Sequence, residues 1–279
     1  MKKVFSVLFI VFIISVGAFA QRQVHLAMRY QPQHKYAGST DQITNMEIGF
    51  HSESADGQKA LEKAMGGESP VKKTVNAHSE TMTQAGKLFK DSLFSIKTVF
   101  TKVQTADGSS PIPIGTAVYS TGSKSGQVTF ESLAADGMDS ELKEKLLPML
   151  KSILQQVVVP EHNAKIGETF SFETPLTFPI SGFTLDFTIS TDYILKSISN
   201  GMAYFDIKQK YVMKSESVAI PITATGTGSG TMSYDIDNSY FSKYELSNVM
   251  SMAMNTSGVE MKIKIESTSI QKVGITKGN

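Results

Sequence analysis

The stretch Gly226-Thr-Gly-Ser-Gly-Thr-Met-Ser-Tyr-Asp235 sets glycines at every second position before small hydroxyl residues, the composition of a loop that cradles phosphate. A dinucleotide fingerprint needs a glycine at 231 and a helix beyond it. Position 231 is Thr231, and Met232, Tyr234 and Ile236 alternate as a strand does. The spacing therefore predicts a strand that lacks side chains on its inner face at Gly226, Gly228 and Gly230. There a sheet can coil sharply, or a helix or ligand can approach the backbone.

Nucleophilic chemistry finds no better footing. A hydrolase elbow requires Gly-x-Ser-x-Gly at a strand-to-helix turn, but Gly122 to Gly126 carries Lys124 at its centre and Gly226 to Gly230 carries Gly228. Ser140 and Lys143 match Ser-x-x-Lys at a helix start, and Lys124-Ser125-Gly126 is a partial second element of penicillin-binding enzymes. That element belongs after the serine helix, and its Ser-Asp-Asn partner is missing, so a helix cap and an exposed turn are the plainer reading. His25, His34, His51, His78 and His162 stand apart, with no His-x-His or His-x-x-x-His pair to seat two ligands of a metal. Asp235, Asp237 and Asn238 gather oxygen side chains that calcium could use. Without the glycine and distal glutamate of a calcium loop they read as a turn. The expectation is a protein without a catalytic site, metal or cofactor.

What remains is an apolar surface. Phe183, Phe187, Phe205, Met232, Tyr234, Met250, Met252, Met254 and Met261 share the inward parity of their strands, and methionine is flexible and polarisable enough to adapt to an apolar guest. The plainer alternative is a sheet core that needs the same residues. Met250, Met252 and Phe187 lie mid-strand and are the first candidates for ligand contact.

The elements that must position this face are strands. Phe183, Leu185, Phe187, Ile189, Tyr193 and Leu195 alternate with Thr184, Asp186, Thr188, Ser190 and Asp192. Ser199-Asn200-Gly201 supplies hairpin chemistry, and Ala203, Phe205, Ile207, Tyr211 and Met213 return on one face. A last hairpin joins Tyr240, Tyr244, Leu246, Met250, Met252 and Met254 through Asn255 to Gly258 to Val259, Met261, Ile263 and Ile265. Earlier strands are predicted over 26–30, 43–50, 94–103 and on either side of Gly122 to Gly126, with a short helix over 56–67. One amphipathic helix is predicted over 139–157. Its stripe is Leu142, Leu146, Met149, Leu150, Ile153, Leu154 and Val157, and Pro148 kinks it. The expected fold is mainly β, a long antiparallel curled sheet or open barrel packed on that helix, similar in kind to the half-barrels of periplasmic lipoprotein carriers.

Two phrases carry a resemblance. Met28-Arg29-Tyr30-Gln-Pro-Gln-His-Lys35-Tyr36 near the start, and Val159-Pro160-Glu-His-Asn-Ala-Lys-Ile166-Gly167-Glu168-Thr169-Phe170 after the helix, resemble an uncharacterised family of exported β-rich envelope proteins from Bacteroidetes. This chain has Phe170 where that family commonly carries tryptophan. The resemblance implies export and a β-rich fold, and brings no catalytic motif.

The ends and the composition complete the picture. Lys2-Lys3, an apolar run from Val4 to Ile14 and the small residues Ala18 and Ala20 form a signal peptide over 1–20, leaving one β-rich domain over 21–279. The apolar run is shorter than the ~20 residues of a spanning helix. Removing Lys2 and Lys3 takes the 27 basic residues to 25 against 26 acidic ones, which argues against nucleic acid. No stretch is a polybasic membrane-surface segment. The chain has no cysteine, so it has neither a lipid-modified anchor nor a disulfide framework. The expected location is periplasmic or extracellular, and the expected protein is not integral to a membrane once processed. Its expected role is non-enzymatic binding of a lipid or other apolar molecule inside the curled sheet. The alternative is a structural or adhesive module that displays loops to an envelope protein.

Overall fold

The computed structural model describes residues 23–64, 70–106, 108, 112–135, 140, 143–144, 161–180, 183–213, 222–256 and 258–278. Among the described residues thirteen strands and a short helix with defined bounds follow in order. They are β1 (Gln23–Leu26), β2 (His34–Ser52), α1 (Ala55–Ala64), β3 (Val71–Phe89), β4 (Leu93–Thr105), β5 (Ala117–Ser123), β6 (Val128–Ala134) and β7 (His162–Lys165). The second half holds β8 (Thr169–Ile180), β9 (Phe183–Ser199), β10 (Met202–Met213), β11 (Ile222–Asp235), β12 (Tyr240–Thr256) and β13 (Val259–Lys277).

Eleven of the strands make one antiparallel sheet in the order β6-β5-β4-β3-β2-β13-β12-β11-β10-β9-β8. Each half of the chain is an up-and-down meander, and the halves meet where β13 pairs with β2 from Val259↔Ser52 to Lys277↔His34. β6 and β8 end the order without pairing to each other, so the sheet is curled and open rather than a closed barrel. Strands β2 and β13 are 19 residues each, about 60 Å at ~3.3 Å per residue. The sheet thus has two well-separated ends. One carries the β9–β10 turn and the start of β2, the other the β12–β13 turn and α1.

The turns follow the local chemistry. Asn200 and Gly201 both have positive φ, 51° and 73°, in the two-residue turn that closes the β9–β10 hairpin. Asn238 N donates to Asp235 Oδ1 at 3.0 Å and its Nδ2 to Asp235 Oδ2 at 2.7 Å, so the cluster of oxygen side chains is a turn. The glycine run lies inside β11, between β10 and β12. A Cβ on Gly226 would lie 2.9 Å from Val249 O, and one on Gly230 would strike Glu245 O. At both points the backbone of the neighbouring strand β12 takes the space that a Cβ would need, so the glycines permit a close approach of the two strands.

The sequence expectation of a first strand over 26–30 is corrected by the fold. That segment pairs over Gln23–Leu26 with β7 in a separate two-stranded sheet, and the chain enters the large sheet only at His34. The short helix expected over 56–67 is α1. The helix predicted over 139–157 lies almost entirely outside the described residues.

The small sheet forms the main core with the inner face of the C-terminal meander. Val24, Leu26 and Ala164 pack on Phe170, Tyr193, Leu195, Phe205, Ile207, Met232 and Tyr234, all buried. Each large side chain enclosed there contributes about 2 kcal/mol through its apolar area. His162 stacks on Phe170 at 4.3 Å between ring centroids, and Phe170 on Tyr193 at 5.3 Å, which aligns β7, β8 and β9.

Candidate binding cavity and apolar face

The inner face of the N-terminal meander has a different composition from that of the C-terminal one. β2 presents Tyr36, Gly38, Thr40 and Gln42, β3 presents Ala77, Ser79, Thr81 and Thr83, and β13 adds Gln271 and Val273 in register. These side chains are short and mostly hydroxylated, so they cannot fill the concavity that the curl creates. A cavity of about 250 Å³ remains over them, walled by Phe100, Val103 and Ile112 on one side and by Tyr30, Tyr36, Tyr240 and Phe241 on another.

The aromatic wall is a built unit. The rings of Tyr30, Tyr36 and Tyr240 meet pairwise at 4.9, 5.3 and 5.1 Å between centroids. Tyr36 Oη accepts the Gln31 amide at 2.7 Å, and Tyr240 Oη donates to Tyr30 Oη at 3.3 Å. Burial pushes the Tyr36 hydroxyl up to about 12 and raises those of Tyr30 and Tyr240 as well. All three are neutral at physiological pH, and the wall offers ring faces and hydroxyl hydrogen bonds without charge. Beside the wall Thr83, the register partner of Tyr36, shares a buried hydrogen bond of 2.8 Å between its Oγ1 and Thr98 Oγ1. The cavity therefore suits a small amphipathic guest, with rings and aliphatic groups along its walls and hydroxyl and amide groups at its floor.

His78 borders the cavity, but both ring nitrogens are engaged elsewhere. Nδ1 meets Asp41 Oδ1 at 2.7 Å and Nε2 meets Glu80 Oε1 at 3.0 Å, and the Glu80 and Asp41 carboxylates raise the imidazole above its ordinary value. His25 is bonded to Asn163 and Glu161, His34 to the Pro32 carbonyl, and His162 to Glu168. These four histidines each serve their own local contact, and His51 stands on β2 opposite Glu260 of β13. Among the described residues no three His, Asp or Glu side chains are grouped to hold a metal ion.

The nine residues of the predicted apolar face fall into two groups. Phe205, Met232 and Tyr234 are at most 1% exposed and belong to the core closed by β1 and β7. Phe187 is buried with Ile222 and Ala224 toward the other end of the sheet, where Met213, Met250, Met252 and Met254 pack on them while half-buried. Met261, on β13, is the register partner of Met254 on β12 and of Phe50 on β2. Phe183 opens β9 opposite Ile180. A polar band separates the groups. Tyr211 Oη donates to Gln209 Oε1 at 2.7 Å, Gln209 Nε2 donates to Thr191 Oγ1 at 3.1 Å, and Asn248 faces Gly228.

The lining of the 250 Å³ cavity is absent from the sequence prediction. Reading for large apolar residues selects filled places, whereas this cavity is made by Gly38, Thr40, Ser79 and Thr81, which read as solvated strand positions. The usable signal was the Tyr30–Tyr36 pair beside that run of small residues. No helix among the described residues is long and apolar enough to cross a membrane. No protein-family model matches the sequence, and no curated protein matches it.

Proposed function

We propose that this chain is a non-enzymatic binding protein of the cell envelope, exported by the signal peptide over 1–20, whose curled sheet holds a lipid or another small amphipathic molecule. The observation that carries this reading is the cavity between the Tyr30, Tyr36 and Tyr240 wall and the small hydroxylated residues of β2 and β3. Its lining residues Gly38, Thr40, Ser79 and Thr81 are half-buried, so the concavity is open for a guest to reach the tyrosine wall. The half-buried methionines at the other end of the same inner face are a second adaptable surface on which an acyl chain can lie.

The test is to purify the protein under mild conditions, record its native mass spectrum, and titrate it with an environment-sensitive naphthalene dye. A bound mass that organic solvent removes, together with saturable dye binding displaced by fatty acids, is the expected result. A bare chain that enhances no dye and is unaffected by lipids would sink the reading. It would leave the sheet as a scaffold that displays its loops to an envelope protein.

A further inference from the structure

A basic surface is assembled at the end of the sheet where β2 begins. Lys35 of β2, Lys87 of β3 and Lys277 of β13 line a cleft of about 350 Å³ with Gln33, His34 and Gln84, and no acidic residue lines it. Gln33 N donates to Gly86 O at 3.0 Å and Gly278 N to Gln33 O at 2.6 Å, which holds the three strand ends together. Beyond the cleft, β3 turns into β4 through Lys90, Asp91 and Ser92. Just before that turn Leu88 and Phe89 stand 41% and 43% exposed. Lys124 N donates to Ser92 O at 3.0 Å, and Arg29 Nη1 donates to Lys124 O at 3.2 Å, so two further cations join the same surface. Among the described residues none of Lys35, Lys87, Lys90, Lys124 and Lys277 is in an ion pair, which they share with Lys97, Lys208 and Lys210 on the strands, whereas Lys72, Lys102, Lys243 and Lys264 are paired.

The chain as a whole is nearly balanced, with 27 basic and 26 acidic residues, so this gathering is local. Single exposed apolar residues are ordinary on a protein surface. Two consecutive ones beside a hairpin turn whose one carboxylate, Asp91, is outnumbered by Lys87, Lys90 and Lys124 match the layering of an anionic bilayer. Lysine stems lie against the acyl boundary while their ammonium groups reach the phosphates. A neutral surface would leave the lysines unused, and a nucleic acid backbone would leave the apolar tip unused.

We infer that this end of the sheet docks on the surface of an anionic lipid bilayer. Leu88 and Phe89 enter at headgroup depth, and Lys35, Lys87 and Lys277 hold lipid phosphates. The inference stands whether or not the cavity holds a ligand. The chain has no tryptophan, so Phe89→Trp introduces a lone indole at the tip, and Val71→Trp places one at the opposite end of β3 as a control. With phosphatidylcholine vesicles containing phosphatidylglycerol, the Phe89→Trp emission moves to shorter wavelength and resists iodide quenching. With pure phosphatidylcholine it does not move, and Val71→Trp moves with neither. Adding Lys35→Ala, Lys87→Ala and Lys277→Ala lowers partitioning about a hundredfold, since each surface lysine is worth about fivefold. High salt reproduces that loss and carries the same test if the triple variant does not fold. No shift on anionic vesicles overturns the inference. So does an equal shift on neutral vesicles, or a shift unaffected by salt.

Discussion

Tyr234 and Ala27 exchange two hydrogen bonds, the Tyr234 hydroxyl donating to the Ala27 carbonyl at 3.0 Å and accepting the Ala27 amide at 3.1 Å. Both groups are buried, and 207 residues of sequence separate them. The bonds fix the segment after β1 against β11, and with it the small sheet that closes the main core. Tyr234→Phe keeps the ring but leaves an amide and a carbonyl buried without a partner. The expected loss is about 2 kcal/mol, because an unsatisfied buried group costs more than a hydrogen bond gains. Urea unfolding measures it. Limited proteolysis before His34 should rise in parallel, and unchanged stability would mean that water replaces the hydroxyl.

The glycines of β11 differ in what crowds them, which makes them separable. At Gly228 the obstacle to a Cβ is the Asn248 side chain, with Gln209 Cβ at 3.3 Å. At Gly230 it is the Glu245 backbone. Gly228→Ala alone should lose about 1–2 kcal/mol, and adding Asn248→Ala should restore most of it. The Asn248 Oδ1 is also buried without a hydrogen-bond partner, so its removal relieves a second cost. Gly230→Ala should lose more and gain nothing from Asn248→Ala. Thermal melts of the four variants decide between this account and one in which the glycines merely loosen the strand.

These cases mark how far residue patterns carry. Alternation from Phe183 to Leu195 and from Val259 to Ile265 located β9 and β13, because a half-buried strand writes its faces into every second residue. The parity of Gly226, Gly228 and Gly230 with Met232 located the places in β11 where β12 leaves no room for a side chain. What covers Phe205, Met232 and Tyr234 was not legible, since β1 and β7 are four residues each, too short for a periodic signal. The cavity was invisible for the opposite reason: it depends on bulk that is missing at Gly38, Thr40 and Ser79. The basic end was invisible because Lys35, Lys87 and Lys277 become neighbours only through the β2–β3 and β2–β13 registers.

Alkaline pH should destabilise the fold through its buried tyrosines. Burial raises Tyr36 and Tyr193 from 10.0 to about 12, and raises Tyr240 and Tyr244 as well. The folded state therefore holds phenolic protons that the unfolded chain releases from about pH 10. Their contribution to stability is complete below that pH and is lost as pH rises toward about 12, at about 1.4 kcal/mol per unit of displacement for each group. Urea midpoints measured from pH 8 to 11.5 should be flat to pH 10 and then fall. Tyrosinate absorbance should appear late and together with unfolding, and early, non-cooperative ionisation of every tyrosine would contradict the burial of the Tyr30, Tyr36 and Tyr240 wall.

Filling the cavity separates binding from folding. Ser79 faces it from the middle of β3, half-buried, with Thr40 and Val103 as its register neighbours. Ser79→Leu adds apolar bulk where there is space, so stability should hold or rise by up to about 1 kcal/mol while saturable dye binding weakens at least tenfold. Met252→Ser at the other end of the inner face removes a half-buried side chain instead. It should lower stability by about 1–2 kcal/mol and leave dye binding at the tyrosine-walled cavity within about twofold. The reverse pattern, with Ser79→Leu silent and Met252→Ser abolishing binding, would move the ligand from the tyrosine wall to the methionine cluster. Dye affinity and urea midpoints on the two variants read both quantities from the same samples, and an amphipathic guest seated between Tyr36 and Thr81 requires the first pattern.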